Sequence, residues 1–265
     1  MREAFKNAAS DSSPMDPGSL EFQVSYFLTI AIIGLKASLV AYLAGKLRFG
    51  GRSGDSEAGE EERAAKSEMT RQFTVGLFVV LVALLVSRVL SFAFDYYLTQ
   101  FDTSKYLEPT NLVVWRVANV ISISGTGYFL LMVDRVVTRF KFKGVPAGIV
   151  FFVAALHAAY PVGDLGDFKF ISDVGIVAGV VILAIPVMFF WLACKSTGSV
   201  RRVAAVLGVG VLAFGVGGSL LSETFMGLAE HLFGPGARTG MVVASAGLRA
   251  GGLVSLAWGA TRVNL

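Results

Sequence analysis

Six ionisable residues sit inside long apolar stretches of this chain: Lys36, Arg88, Asp95, Arg116, Glu223 and Arg249. A seventh, Asp173, stands near the end of one stretch. Charge is costly in a hydrocarbon environment, so such residues pair, face water or bind a ligand. Helical spacing groups them. Arg88, Ser91 and Asp95 share one face, as do Trp115, Asn119, Ser122 and Thr126, and likewise Ser245, Arg249 and Gly252. Lipid offers such stripes no hydrogen-bond partners, so they are expected to face a bundle interior. Convergence of Arg88, Arg116 and Arg249 would suit a carboxylate or phosphate, because guanidinium groups bind such oxyanions through paired N–H donors. Arg116 is the preferred anchor, with Trp115 and Asn119 framing it and Arg88, Asp95, Glu223 and Arg249 completing the site. The structural alternative has equal standing. Arg88 with Asp95, and Arg249 with Glu223, would form ion pairs that hold helices together.

The elements that position these residues are long and apolar. The chain has 265 residues, 54% of them hydrophobic and 16% charged, against roughly a quarter charged in a soluble domain. Seven blocks approach or reach the ~20 residues needed to cross a ~30 Å hydrocarbon core: 24–47, 73–98, 112–137, 145–160, 171–194, 203–228 and 239–261. The expected fold is all-α, a seven-helix transmembrane bundle over 22–265, preceded by a disordered polar tail over 1–21. Pro186 should kink the fifth helix, and Pro146 suits the first turn of the short fourth.

Loop charge orients the bundle. Lys46, Arg48, Arg52, Arg63, Lys66 and Arg71 lie in the first linker. Arg135, Arg139, Lys141 and Lys143 lie in or beside the third, and Lys195, Arg201 and Arg202 in or beside the fifth. The positive-inside rule makes these cytoplasmic, with the N-terminus outside and the C-terminus inside. The segment 50–70 reads as a solvated cytoplasmic loop. On this topology most of the buried charge falls in the outer half of the bundle. Two faces rich in small residues should allow close helix packing: Gly240, Ala244, Gly247, Gly251, Ser255 and Gly259 in the seventh helix, and Gly175 with Gly179 in the fifth.

Several classes are excluded. One cysteine, Cys194, permits no internal disulfide and no cysteine-built zinc site. Two histidines, His157 and His231, are too few for zinc-dependent membrane hydrolases. No phosphate-binding Gly-rich loop or H-E-x-x-H helix is present. Arg249 stands where a retinal protein would need a lysine. The net charge of +4 fits loop bias better than nucleic-acid binding. Asp134-Arg135, at the cytoplasmic end of the third helix, resembles the acid–arginine pair of G-protein-coupled receptors. The Asn-Pro-x-x-Tyr segment and the extracellular cysteine pair of that family are missing.

The expected protein is therefore a non-catalytic, multi-pass cell-membrane protein without metal or cofactor. Its expected role is that of a sensor or receptor binding a small anion or lipid headgroup in an outward-facing cavity, with a cytoplasmic protein partner. The alternatives are a transporter or channel for a small solute, or a packing subunit of a membrane complex.

Overall fold

The computed structural model describes residues 18–49, 60–220, 223–234 and 237–262. The expected N-terminal tail falls almost wholly outside them. Among the described residues there are helices and turns and no strand. In chain order the helices are α1 (Leu20–Phe49), α2 (Glu60–Ala93), α3 (Pro109–Val137), α4 (Val145–Ala159), α5 (Leu165–Ile182), α6 (Ala184–Lys195), α7 (Gly198–Ser219), α8 (Glu223–Phe233) and α9 (Ala237–Arg262). A π-turn, Phe94–Leu98, closes α2.

Six segments are long and apolar enough to cross a membrane: Phe22–Arg48, Arg71–Leu98, Pro109–Val137, Leu165–Lys195, Gly198–Ser219 and Thr239–Gly259. Their outward faces carry bare apolar side chains, as a lipid-facing surface requires. Phe27 is 67% exposed, Val180 63% and Val187 64%. In water such a surface would aggregate.

Three expectations need adjusting. The expected fourth crossing is the 15-residue α4, roughly 22 Å long and short of the ~30 Å core. It lies antiparallel along the middle of α3, with Gly144 against Leu131 at one end and Tyr160 bonded to Arg116 at the other. The expected sixth crossing, 203–228, is two helices. α7 stops at Ser219 after the glycine-rich run Gly215, Gly217, Gly218, and α8 starts afresh at Glu223. The loop expected over 50–70 is helical from Glu60 onward; 50–59 lie outside the described residues. The fifth crossing breaks at Leu183. Pro186 explains this, because a proline ring clashes with the carbonyl four residues earlier, here that of Ile182.

α1 packs between α2 and α9, α9 against α7, α7 against α6, and α6 against α3, which also meets α2, α4 and α5. Phe73, Leu77, Leu81, Leu130, Val133, Phe189 and Leu253 fill the centre. One end of the bundle gathers Phe22, Tyr26, Phe92, Tyr96 and Phe101 in edge and tilted ring contacts, in the manner of a membrane-interface aromatic belt. Just beyond it Asp102 accepts hydrogen bonds from the backbone N–H and hydroxyl of Ser104. These hold its carboxyl below the usual range.

The opposite end carries the basic linkers. The Lys141 ammonium sits 4.7 Å from the Trp191 ring centroid, so the turn after α3 and the end of α6 share that end. Asp134 organises the turn. It is 1% exposed and accepts from the Thr138 hydroxyl and from the backbone N–H of Phe142 at 3.2 Å and Gly144 at 2.9 Å. With those donors held, the chain takes left-handed conformations at Arg139, Phe140, Lys143 and Gly144. Asp134 thus fastens a turn, while Arg135 is exposed.

Candidate functional site

Lys36, Arg88 and Arg249 come together between α1, α2, α7 and α9. Arg88 and Arg249 both lie close enough to repel the Lys36 ammonium, and Arg88 repels Arg249 in turn. Asp95 is near enough to attract Arg88. Among the described residues the hydrogen bonds of these cations go to neutral oxygens. Lys36, 5% exposed, donates to the Leu84 carbonyl at 3.1 Å and stands 5.4 Å from the Phe214 ring centroid. Arg88 Nη2 donates to the Thr29 hydroxyl at 3.0 Å. Arg249 Nη2 reaches the Gly218 carbonyl at 3.4 Å. The Arg88 Nε–H is buried and has no partner.

A cavity of about 20 Å³ adjoins these groups. Its polar lining is Ser25 and Thr29 of α1, Arg88 of α2, and Ser245 and Arg249 of α9. Leu28, Ile32, Val242 and Ala246 form the apolar walls. No carboxylate is among the described residues of the lining. The cavity lies toward the end at which α1 begins, which is the outer end if loop charge sets the orientation.

Close packing of α7 on α9 holds Arg249 in place. A Cβ on Gly217 would come within 2.9 Å of the Ser245 carbonyl and 3.0 Å of Arg249 Cγ. Ser245 donates its hydroxyl proton to the Gly217 carbonyl. The seam continues through Gly210 and Gly252, whose hypothetical Cβ atoms would each strike the opposite helix. The contacting residues of α9 therefore include Ser245, Leu248, Arg249, Gly252, Ser255, Leu256 and Gly259, so Ser255 and Gly259 of the expected face do pack. Gly240, Gly247 and Gly251, expected on the packing face, have nothing within 4 Å of a built Cβ. In the fifth crossing Gly175 packs against His157 and Gly179 is open.

The structure thus brings Arg88 and Arg249 to one cavity, with Asp95 near Arg88. Arg116, Trp115 and Asn119 are elsewhere, and α3 contributes nothing to the lining. Arg116 donates to the Ala158 and Tyr160 carbonyls, capping the carboxyl end of α4; its Nε–H is buried and unpartnered. Trp115 stacks on Phe168 and His157, with centroids at 4.5 and 5.9 Å. Asn119 donates to the Trp115 carbonyl and Thr126 to that of Ser122, so the polar stripe of α3 is satisfied on its own helix. Glu223 opens α8, and its side chain, with the expected Arg249 pair, lies outside the described residues. Sequence reasoning missed Thr29. Its signal was the polar spacing Ser25, Thr29, Lys36 along one face of α1.

No family model, curated protein or solved structure matches the chain. The fold itself defines the class: a polytopic α-helical membrane protein, with six helices of spanning length and bare apolar flanks.

Proposed function

We propose that the protein is a non-catalytic, receptor-like membrane protein that holds a small anion in the outer half of the bundle, between α1, α2 and α9. In this reading the chain crosses seven times, α4 included, with its N-terminus outside. The observation that carries it is that Arg88, whose Nε–H is buried without a partner among the described residues, lines a cavity together with Arg249 and with no described carboxylate. An unpaired buried N–H of a cation is expensive, and an anion would supply what is missing. Toward the basic end the cavity gives way to the packed core around Leu43, Leu77, Leu81 and Leu253. A blind cavity favours sensing over passage. Arg249 also touches the carboxyl end of α7, which leads through α6 to the basic linker, a route to a cytoplasmic partner.

The test is reconstitution. Chloride, formate, acetate and phosphate are each titrated at constant ionic strength, and thermal unfolding is followed. At least one should stabilise the wild type, and Arg88→Gln should abolish that effect while keeping its helix content. Vesicles loaded with the same anions should leak no faster than protein-free vesicles. Protein-dependent efflux would establish transport instead. Absence of any anion effect leaves the packing-subunit reading, which the open stripe Gly240, Gly247, Gly251 on α9 favours.

A further inference from the structure

At the end of the bundle opposite the cavity, the turn after α3 meets the last turn of α6. The turn reads Arg139-Phe140-Lys141-Phe142-Lys143, cation and ring in strict alternation. We propose that this surface docks the headgroup of an anionic phospholipid from the surrounding bilayer. Lys141 and Lys195, beside Trp191, hold the lipid phosphate, and the exposed rings of the turn meet its acyl chains.

Charge comes first. Residues 135–145 hold Arg135, Arg139, Lys141 and Lys143, residues 195–202 hold Lys195, Arg201 and Arg202, and neither segment holds an acid. All of these cations are exposed. Asp134, the adjoining acid, is engaged inside the turn by Thr138, Phe142 and Gly144. Glu68, at the same end on α2, is engaged on its own helix by Gln72 at 3.0 Å and Arg71 at 4.0 Å. Basic clusters at a membrane surface attract anionic lipid.

Geometry localises that attraction. The Lys141 ammonium lies 4.7 Å from the Trp191 ring centroid, so the turn is seated on α6. Trp191 and Lys195 are four residues apart on that helix and share one face. Cations from two elements are thus associated with one indole ring, itself 38% exposed. An ammonium over a ring face keeps N–H donors for a phosphate oxygen. The turn is also fixed. Arg139, Phe140 and Lys143 take left-handed backbone conformations, with φ of 55°, 61° and 50°. Such conformations are costly for these residue types and persist only where the surroundings impose them. Here Asp134 imposes them, so little backbone ordering remains to oppose binding.

The rings choose the partner. Phe140 is 46% exposed, Phe142 48% and Val145 61%. A soluble phosphate would use the cations and leave these groups in water. A lipid covers both, because headgroup and acyl chain meet at the depth where tryptophan and basic side chains gather.

The experiment uses the full chain in nanodiscs of phosphatidylcholine with a minor share of phosphatidylglycerol. Lipids retained on the protein after release from the disc are counted by native mass spectrometry. Wild type should retain phosphatidylglycerol well beyond its share of the disc. Lys141→Gln with Lys195→Gln should weaken that retention about 30-fold, a factor of about five for each cation. Arg201→Gln with Arg202→Gln removes the same charge at the same end and should weaken it far less. Phe140→Ser with Phe142→Ser keeps every cation and should still lower retention; unchanged retention there overturns the choice of lipid. Equal loss from the two charge pairs means diffuse attraction and overturns the site. Displacement of the lipid by soluble glycerol phosphate means that the surface reads a phosphate from solution, and the lipid assignment fails. Wild-type retention no greater than the share in the disc overturns the proposal without any variant and leaves the turn to an acidic protein. None of these outcomes bears on the anion reading of the cavity between α1, α2 and α9.

Discussion

Gly252→Ala should destabilise the bundle, and its neighbour Gly251→Ala should not. A Cβ built on Gly252 falls 2.6 Å from the Gly210 carbonyl oxygen, 2.8 Å from Phe214 N and 2.9 Å from Phe214 Cβ. These atoms are backbone or fixed to it, so no rotamer change relieves the clash and α7 must move as a body. Overpacking of this kind costs about 1–3 kcal/mol. The same movement stretches the Ser245–Gly217 bond two turns away, worth about another 1 kcal/mol. Alanine returns roughly 1 kcal/mol of helix propensity. The net expectation is a loss of about 1–3 kcal/mol. Gly251 has nothing within 4 Å, so alanine there keeps the propensity gain alone. The assay is thermal unfolding of the purified protein in detergent, read by circular dichroism. At roughly 2–4 °C per kcal/mol for a chain of this size, Gly252→Ala should lower the midpoint by about 2–12 °C, and Gly251→Ala should leave or raise it. Equal shifts, or a larger loss at Gly251, would mean that the α7–α9 seam runs along the other face and that the position derived for Arg249 is wrong.

Asp134→Asn should loosen the turn after α3, because three donors lose a charged acceptor; at ~1 kcal/mol of difference between a charged and a neutral acceptor for each bond, a loss of about 2–4 kcal/mol and faster proteolysis within 138–144 are expected, and an unchanged cleavage rate would count against the anchoring role. Arg116→Gln should cost about 1–2 kcal/mol by uncapping α4 and leave anion stabilisation intact; loss of the anion response would return Arg116 to the binding site. Cysteines placed at 56 and 164, in a chain with Cys194 replaced, should be respectively shielded from and labelled by an impermeant thiol reagent in intact cells. The reverse pattern overturns the orientation; shielding of both would mean that α4 does not cross, and labelling of both that α4 does not cross and the orientation is reversed as well.

What could be read from the sequence was what hydropathy encodes. Six of the seven apolar blocks are long helices, and the break imposed by Pro186 falls one turn before it. What could not be read depended on phase and on backbone. The seam of α9 includes Ser245, Gly252 and Gly259; the parallel stripe Gly240, Gly247, Gly251 has the same composition and looks equally good on paper. Only the position of α7 chooses between them. The 203–228 block is uniformly apolar apart from Glu223, so nothing in hydropathy marks the stop at Ser219. The cations were assigned acids because acids are visible as letters. Among the described side chains their hydrogen-bond partners are the carbonyls of Leu84, Ala158, Tyr160 and Gly218 and one hydroxyl, and a carbonyl belongs to every residue; the pairing of Arg249 with Glu223 lies outside them.

That choice of partner has an electrostatic consequence. A buried acid–base pair is neutral, so a bundle built from such pairs presents no field to a ligand. A carbonyl satisfies N–H groups yet leaves the positive charge in place. Two of the four buried cations sit at the carboxyl ends of helices, Arg116 at α4 and Arg249 at α7, where the partial negative charge of the helix offsets part of the cost. The two differ in what they leave over. Arg116 binds two carbonyls and lies away from the cavity, so its role is to tie α4 to α3. Arg249 has one long bond of 3.4 Å and faces the cavity beside Arg88, whose Nε–H has no partner at all. An anion arriving there can draw Arg249 off Gly218, because the bond it replaces is weak. Binding would then alter how firmly the carboxyl end of α7 is held against α9, at the point where Gly217 leaves no space for a side chain. The site and a close contact between α7 and α9 thus share one residue, which is the arrangement a receptor needs if occupancy is to change packing.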